Sequence, residues 1–377
     1  MYEEITTLES TFDSLLPDRK INASPAQELL ATARAWSEEV WKAGKIAGPL
    51  SLSNEQIDNG KRLIERPVFI CGVHRSGTTL LRDLLDGHPS LTVLPSEGTF
   101  LTNLSPRLQQ MKDEEHDGFL AKEWLRRLAN PINQPPYWLL GRSSTTSSPY
   151  VNFARAFKAW YAIAKKDFSK NFMWPHLAVA LAYATCANQG TGLTAKYWVD
   201  KTPTHERYLD KIWHEMPGAK IIHIVRDPTD VFLSRRHIEP SLNLKTFLKD
   251  LQLSYDLAVK QSRLNNKNYL LLHYEALCEN PQACISRVTE MLNIELLACL
   301  FTPTVAGKLA NVNSSFAADL PAGSIIKKRT HANGSLSGKE RKLLSAHLYK
   351  SAAQLGYNLD PVGAIQSSLL KLKLRLL

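Results

Sequence analysis

The chain has 377 residues and a net charge of +10, from 46 Lys and Arg against 36 Asp and Glu. A content of 44% hydrophobic and 22% charged residues is typical of a soluble globular protein. The positive surplus suits an anionic ligand, such as a nucleotide, a nucleic acid, a sulfated glycan or a membrane surface, although solubility alone would also account for it.

The cysteines and the apolar segments limit the class of protein further. The five cysteines are scattered and never spaced as C-x-x-C, which argues against a disulfide framework and a zinc site and favours a reducing compartment. The N-terminus lacks the pattern of a signal peptide, and the most apolar window, residues 172–187, is too short to span a bilayer. We therefore expect a soluble, cytoplasmic protein with no transmembrane segment and no bound metal. The cysteines are Cys71, Cys186, Cys278, Cys284 and Cys299.

The order of apolar patterns predicts an α/β fold. After a helical N-terminal extension, residues 1–65, a buried strand is predicted at residues 67–73, followed by a helix and a short apolar stretch, LTVLPSE. Residues 101–190 are predicted to form a helical insertion, after which strand patterns recur in KYWV, AKIIHIV and NYLLLHYEAL. This alternation predicts a doubly wound parallel sheet that binds its ligand at the carboxyl edge of the strands.

The domain is expected to cover residues 66–360, and a basic, leucine-rich tail follows at residues 361–377. The tail pattern is that of an amphipathic helix, which would dock on its own domain or on a membrane or partner.

Residues 72–79, GVHRSGTT, follow the first predicted strand and open a helix, which is the setting of a phosphate-binding turn. The glycines are spaced as in the G-x-x-x-x-G-K-[ST] loop of ATP and GTP enzymes, but Thr78 stands in place of the lysine. The missing lysine weakens a triphosphate-hydrolysis interpretation. Arg75, inside the loop, could instead bind a terminal phosphate or sulfate group bidentately.

A second anion-binding segment is predicted where the strand AKIIHIV ends at Arg226. Asp227 is suited to cap the helix that follows, and Pro228 is suited to its first position. Because Ser234 lies two turns into this helix, Arg226 and Ser234 could face one anion.

Together, HRSGTTLL, YWVDKTP, the segment around Arg226 and LHYEALCENPQACISRVTEMLNI resemble the sulfotransferases that use 3′-phosphoadenosine 5′-phosphosulfate (PAPS). The resemblance covers residues 66–295 and is greatest to the branch with tyrosylprotein and bacterial enzymes. It implies a P-loop NTPase-like α/β domain, PAPS as donor, adenosine 3′,5′-bisphosphate as product, and a hydroxyl or amine acceptor.

The resemblance also implies roles for particular residues. Arg226 and Ser234 would hold the 3′-phosphate, while Arg75 and Lys201 would stabilise charge on the leaving oxygens without a metal. Glu97, after the second predicted strand, would be the general base. His74 is the alternative, because an imidazole pKa of about 6.5 suits a base. The 5′-phosphate would be held by Ser76, Gly77, Thr78 and Thr79.

Other functions stay open on the sequence alone. A nucleotide kinase or NTPase of the same fold is disfavoured by Thr78, and a non-enzymatic binder of nucleic acid or another anionic polymer is disfavoured because the positive charges are dispersed. A protein of this fold that binds nucleotide without turnover is a third alternative.

The acceptor is expected to meet the aromatic-rich insertion, whose side chains would wall a pocket for a sugar, a lipid chain or a tyrosine ring, or would join the core. The basic run at 327–329, KKR, resembles a segment that closes over the nucleotide, or is a solvated charge run. The aromatic residues are Trp124, Tyr137, Trp138, Tyr150, Phe153, Trp160 and Tyr161.

Overall fold

The computed structural model describes residues 51–116, 118–120, 123, 149–167, 173–186, 192–310, 321–326 and 336–376. The chain forms two compact units. Met1–Pro67 and Pro89–Asp200 make up the first, here called the insertion unit because it contains the predicted helical insertion. Val68–His88 and Lys201–Leu377 make up the second, here called the loop unit because it contains the predicted phosphate loop.

Strands and helices alternate through most of the described chain. The strands are β1 (Val68–Cys71), β2 (Leu91–Val93), β3 (Tyr197–Lys201), β4 (Lys220–Val225), β5 (Tyr269–His273), β6 (Thr304–Val305) and β7 (Lys308–Leu309). The helices are α1 (Asn54–Ile64), α2 (Thr78–Leu85), α3 (Ser105–Leu108), α4 (Pro149–Asp167), α5 (Trp174–Cys186), α6 (Leu209–Glu215), α7 (Pro228–Ile238), α8 (Leu244–Arg263), α9 (Tyr274–Glu279), α10 (Pro281–Leu292), α11 (Gly338–Gln354) and α12 (Ala364–Leu376).

The loop unit is built on three parallel strands. β4 lies between β1 and β5, with Ile70 opposite Ile222 and Ile222 opposite Leu270. All four residues of β1 are fully buried, as expected for an apolar strand that is covered on both faces. Helices α7, α8 and α11 contribute to one apolar cluster, in which Phe232 and Leu248 are buried. This packing fixes the carboxyl ends of β1 and β4, from which the two predicted anion-binding segments start.

The insertion unit contains a second parallel pair and a helix pair. β2 pairs with β3, with Thr92 opposite Trp198. Helices α4 and α5 pack along each other, and Nε1 of Trp160 donates a hydrogen bond to Oγ1 of Thr185 at 2.8 Å. The segment LAVALAYA of α5 is buried throughout.

The predicted α/β class with parallel strands is confirmed, and β1 to β5 form at the segments predicted for them. In the N-terminal extension the structure describes α1, whose capping box pairs Ser53 with Gln56. The rest of the predicted extension, residues 1–50, lies outside the described residues. In the ranges that the structure describes, none of the helices has the length and apolarity needed to cross a bilayer.

Candidate functional site

The turn between β1 and α2, residues 72–77, has the backbone of a tight strand-to-helix loop. Gly72 has a φ of 138° and Gly77 a φ of 98°, which glycine adopts without a steric penalty. A Cβ atom on Gly72 would overlap the carbonyl oxygen of Ile224, and a Cβ atom on Gly77 would overlap the Tyr274 ring. Both glycines are therefore required by conformation and by space.

Arg75 lies between these glycines with a φ of 76°, a costly conformation for a residue with a side chain and one that clusters at functional sites. Its Nε donates a hydrogen bond to Oγ of Ser234 at 3.0 Å, and its carbonyl oxygen accepts one from Nη1 of Arg226 at 3.2 Å. The guanidinium of Arg226 also lies 4.5 Å from the centre of the Tyr274 ring. The structure thus brings together three predicted site residues that are far apart in sequence.

A pocket at the start of α2 connects the loop to Arg226. Burial, and then the charge of Arg226, lower the pKa of the Arg75 guanidinium, so the two cations lie close enough to repel each other. A bound anion would relieve that repulsion, and the N-terminal end of the α2 dipole would add to the attraction. The pocket is lined by Arg75, Gly77, Thr78, Thr79, Arg226 and Tyr274.

Ser76 belongs to the same loop but does not line this pocket. Its side chain is buried, and its hydroxyl has no hydrogen-bond partner within the described part of the chain. A buried hydroxyl that is left unpaired is unfavourable, so a ligand that bonded to it would satisfy a group that the protein does not.

The segment after β4 is held from three sides. The Asp227 side chain accepts hydrogen bonds from the N–H groups of Thr229 and Asp230, which confirms the predicted helix cap. The Asp227 N–H donates to Oε1 of Glu275 at 2.8 Å, and the Tyr255 hydroxyl donates to the Arg226 carbonyl oxygen. Arg226 therefore projects from a fixed backbone.

Glu206 contacts the start of the loop between β1 and α2, and the sequence interpretation did not identify it. Its Oε2 accepts a hydrogen bond from the Gly72 N–H at 3.1 Å, and the Thr204 N–H donates to the Gly72 carbonyl oxygen at 3.2 Å. Burial raises the pKa of Glu206, although the Gly72 N–H and the nearby Ser254 hydroxyl oppose the change. No local pattern in TPTHERYL marks Glu206, because its partner lies 134 positions earlier.

Glu97, the predicted base, lies in the insertion unit and is half-buried. The next residue, Gly98, donates its N–H to Oδ1 of Asp200 at 2.9 Å, while Oδ2 of Asp200 lies 2.9 Å from Nε2 of His176. Both Asp200 and His176 are fully buried, and the His176 ring is stacked on Phe100 at 5.3 Å. The backbone next to Glu97 is thus hydrogen-bonded to a buried Asp–His pair, which the sequence interpretation also missed. A carboxylate inside the apolar strand YWVDK was the available signal.

Lys201 and His74 differ in their surroundings. Lys201 is the last residue of β3, as predicted, and is 3% exposed. Burial raises the pKa of Asp83 in α2, and the positive charges of Arg82 and Lys201 oppose this effect, so Lys201 lies near the helix that follows the loop. His74 is exposed on the loop.

Of the other predicted site residues, some are buried in the core and the others lie outside the described residues. Trp160 and Tyr161 are buried and belong to the core of the insertion unit. Trp124, Tyr137, Trp138 and the run at 327–329 lie outside the described residues, as do the side chains of Tyr150 and Phe153. Among the residues described, no group of three or more His, Cys, Asp or Glu side chains could hold a metal ion.

Comparisons with known proteins identify the family of this chain. Residues 67–297, more than half of the chain, match the model of the "Sulfotransferase family". Protein-tyrosine sulfotransferase A of Caenorhabditis elegans is 25% identical over 250 residues, which cover 64% of this chain and 54% of that protein. The chain therefore matches about half the length of this relative.

Two solved structures are also similar. The sulfotransferase domain from the Synechococcus PCC 7002 olefin synthase is 20% identical, with a TM-score of 0.48, covering 78% of this chain and 96% of that one. Sulfotransferase STF9 from Mycobacterium avium is 14% identical, with a TM-score of 0.40, covering 92% of this chain and 100% of that one.

Proposed function

The chain belongs to the sulfotransferase family, and from this premise we propose that it transfers a sulfuryl group from PAPS to a hydroxyl or amine acceptor. The observation that carries the proposal is the pocket that joins the phosphate loop to Arg226. A nucleotide with a 5′-phosphosulfate and a 3′-phosphate needs donors at both positions. Thr78, in place of the lysine of ATP-binding loops, also supports a donor other than ATP.

The loop and the start of α7 would hold the nucleotide. The N–H groups at the start of α2, with the hydroxyls of Ser76, Thr78 and Thr79, would donate to the 5′-phosphate. Arg226 and Ser234 would donate to the 3′-phosphate. The bond from Arg75 to Ser234 supports this assignment, because it orients the Ser234 oxygen and leaves its hydroxyl proton for an anion.

Positive charge on the leaving phosphate would come from Arg75 and Lys201. Bound PAPS supplies the sulfuryl group and a phosphate that accumulates charge as the bond to sulfur breaks. Preorganised cations contribute most at such a point, since they need no rearrangement during the reaction. The strained backbone of Arg75 supports this role, because the fold holds the residue there at a cost.

Glu97 is the proposed general base, which would take the proton from the acceptor as its oxygen or nitrogen attacks sulfur. The hydrogen bond between Gly98 and Asp200 supports it, because it fixes the backbone beside Glu97. His74 is the alternative base. A base of this kind contributes about 10²-fold to 10⁴-fold to the rate.

The test is an assay of sulfuryl transfer by the purified chain, with PAPS as donor and a panel of phenols, sugars, amines and tyrosine peptides as acceptors. The measured quantity is the release of adenosine 3′,5′-bisphosphate. We expect turnover with at least one class, a rate about 10²-fold or more lower for Glu97→Gln, and a normal rate for the exposed control Glu279→Gln. Full activity of Glu97→Gln with loss in His74→Gln would reassign the base. ATP hydrolysis with no bisphosphate release from any acceptor would contradict the proposed function.

The acceptor is proposed to be a small molecule, a glycan or a peptide, and the compartment a reducing, cytoplasmic one. Four cysteines of the described chain are free, and three of these are buried. Unpaired cysteines are the usual state in a reducing compartment, which supports the proposed location.

A further inference from the structure

The last helix, α12, uses one side to pack against the loop unit. Ser367 donates a hydrogen bond from its hydroxyl to the Ala346 carbonyl oxygen of α11 at 3.2 Å. Leu370 packs against the apolar cluster that α7, α8 and α11 share. The prediction that this segment docks on its own domain is therefore right for one face.

The other side of α12 presents a row of large apolar side chains to solvent. Ile365 is 80% exposed, Leu369 is 53% exposed and Leu372 is 52% exposed. Their spacing of four and three residues places them on one face of a helix. Single exposed leucines are normal on protein surfaces, whereas a continuous apolar stripe marks a surface with a partner.

Basic residues accompany this stripe. The sequence from residue 364 onward, AIQSSLLKLKLRLL, contains three basic residues and no acidic one. With 3.6 residues per turn, positions 371 and 375 fall on one flank of the stripe and position 373 falls on the other. Basic residues in a last helical turn also complement the helix dipole, but the dipole gives no reason for the exposed leucines.

We propose that α12 is an anionic-membrane docking surface, which lies in the lipid interface with Ile365, Leu369 and Leu372 buried among the acyl chains. An apolar stripe flanked by lysine and arginine is the pattern of a helix that lies on a membrane, because the cations reach the lipid phosphates while the stripe is buried. A second copy of this chain fits less well, since it would bring two basic surfaces together. Docking from one face leaves the opposite contacts of Ser367 and Leu370 intact.

The test is flotation of the full chain with vesicles of phosphatidylcholine alone or of phosphatidylcholine with phosphatidylserine. We expect binding to the anionic vesicles about a hundredfold tighter than to the neutral ones, given three basic residues in this helix. Added salt should weaken this binding. The variant Lys371→Gln/Lys373→Gln/Arg375→Gln should lose most of the preference.

The apolar stripe is tested by Ile365→Gln/Leu369→Gln/Leu372→Gln, which should abolish flotation while the thermal midpoint is unchanged, because all three side chains are exposed. Its matched control is Leu253→Gln/Leu264→Gln/Leu296→Gln, which changes three leucines that are 43%, 61% and 40% exposed elsewhere and should float normally. Equal binding of wild type to both vesicle types, or normal flotation of the α12 variant, would overturn the proposal. If wild type is a dimer in vesicle-free buffer and the α12 variant is a monomer, the partner of α12 is a second copy of this chain and the membrane proposal is wrong.

Discussion

One segment in each unit is held in place by a buried carboxylate that accepts a hydrogen bond from a glycine N–H. In the insertion unit, Asp200 holds Gly98 beside Glu97 at 2.9 Å. In the loop unit, Glu206 holds Gly72 at the start of the phosphate loop at 3.1 Å. Both carboxylates lie far in sequence from the glycine that they hold.

The two carboxylates differ in what satisfies their second oxygen. Oδ2 of Asp200 is paired with His176 at 2.9 Å. Oε1 of Glu206 has no hydrogen bond of ordinary geometry among the described residues, and burial raises the pKa of this group. The comparison indicates that Asp200 joins Gly98 to His176 through both of its oxygens, whereas Glu206 works mainly as an acceptor for Gly72.

The glycines should tolerate substitution least. Gly72→Ala would drive a Cβ atom into the Ile224 carbonyl oxygen, and Gly98→Ala would drive one into the buried Asp200 carboxylate. We expect each to lower the free energy of unfolding by about 3 kcal/mol or more, measured by urea denaturation. Gly338→Ala is the control, because nothing lies within 4 Å of its Cβ position. A loss at Gly98 no larger than at Gly338 would show that Asp200 does not lie against it.

Amide substitution should separate the two carboxylates. Asp200→Asn replaces one of the two oxygens that contact Gly98 and His176 by an amide N–H group. It should lower the free energy of unfolding by about 1 to 3 kcal/mol, the cost of leaving a buried polar group unsatisfied. Glu206→Gln keeps an acceptor for the Gly72 N–H and should cost less than about 1 kcal/mol. The same urea series measures both, with Asp200→Ala and Glu206→Ala as the variants that remove the acceptor. Equal losses for the two amide variants would contradict the distinction.

The pH dependence of stability should identify Glu206. Its pKa in the folded chain is above the ordinary 4.5, so the folded state binds the proton more tightly than the unfolded state. The resulting stabilisation is complete below the unfolded pKa and is lost as the pH rises through the folded pKa.

Glu206→Gln cannot ionise and should lack this loss. The free energy of unfolding of Glu206→Gln should therefore rise relative to that of wild type as the pH increases above 4.5. The rise should be up to about 1.4 kcal/mol per pH unit within the titration range. A difference that stays constant from about pH 4 to about pH 8 would mean that folding does not raise the pKa of Glu206.

The smallest change in stability is expected at Ser76. Because its buried hydroxyl has no partner in the described chain, Ser76→Ala should change the free energy of unfolding by less than about 1 kcal/mol. The same variant should weaken binding of adenosine 3′,5′-bisphosphate about tenfold, if the hydroxyl bonds to the nucleotide. A large loss of stability with unchanged binding would make Ser76 a structural residue only.

Local patterns predicted the elements well because they rest on neighbouring residues. The buried runs gave β1 and β4, and Asp227 with Pro228 gave the start of α7. The spacing of Gly72 and Gly77 predicted the turn between β1 and α2, and both glycines have positive φ angles there.

The parts that the sequence did not predict depend on contacts between distant residues. Tyr274 packs on Gly77 and under Arg226 although it opens α9, and nothing near it in the chain signals that position. Glu206 and Asp200 likewise act on glycines more than 100 positions away. Such tertiary contacts become visible only when the strands that carry them are placed in three dimensions.

We propose that the loop and Arg226 bind one nucleotide with a 3′-phosphate. We would titrate adenosine 3′,5′-bisphosphate and adenosine 5′-monophosphate by calorimetry into wild type, Arg226→Ala and the exposed control Arg341→Ala. The account predicts micromolar binding of the bisphosphate to wild type, about −8 kcal/mol. In Arg226→Ala, the bisphosphate should lose about a hundredfold in affinity and the monophosphate far less. Equal losses for both nucleotides, or tight binding of ATP with indifference to the bisphosphate, would contradict the account.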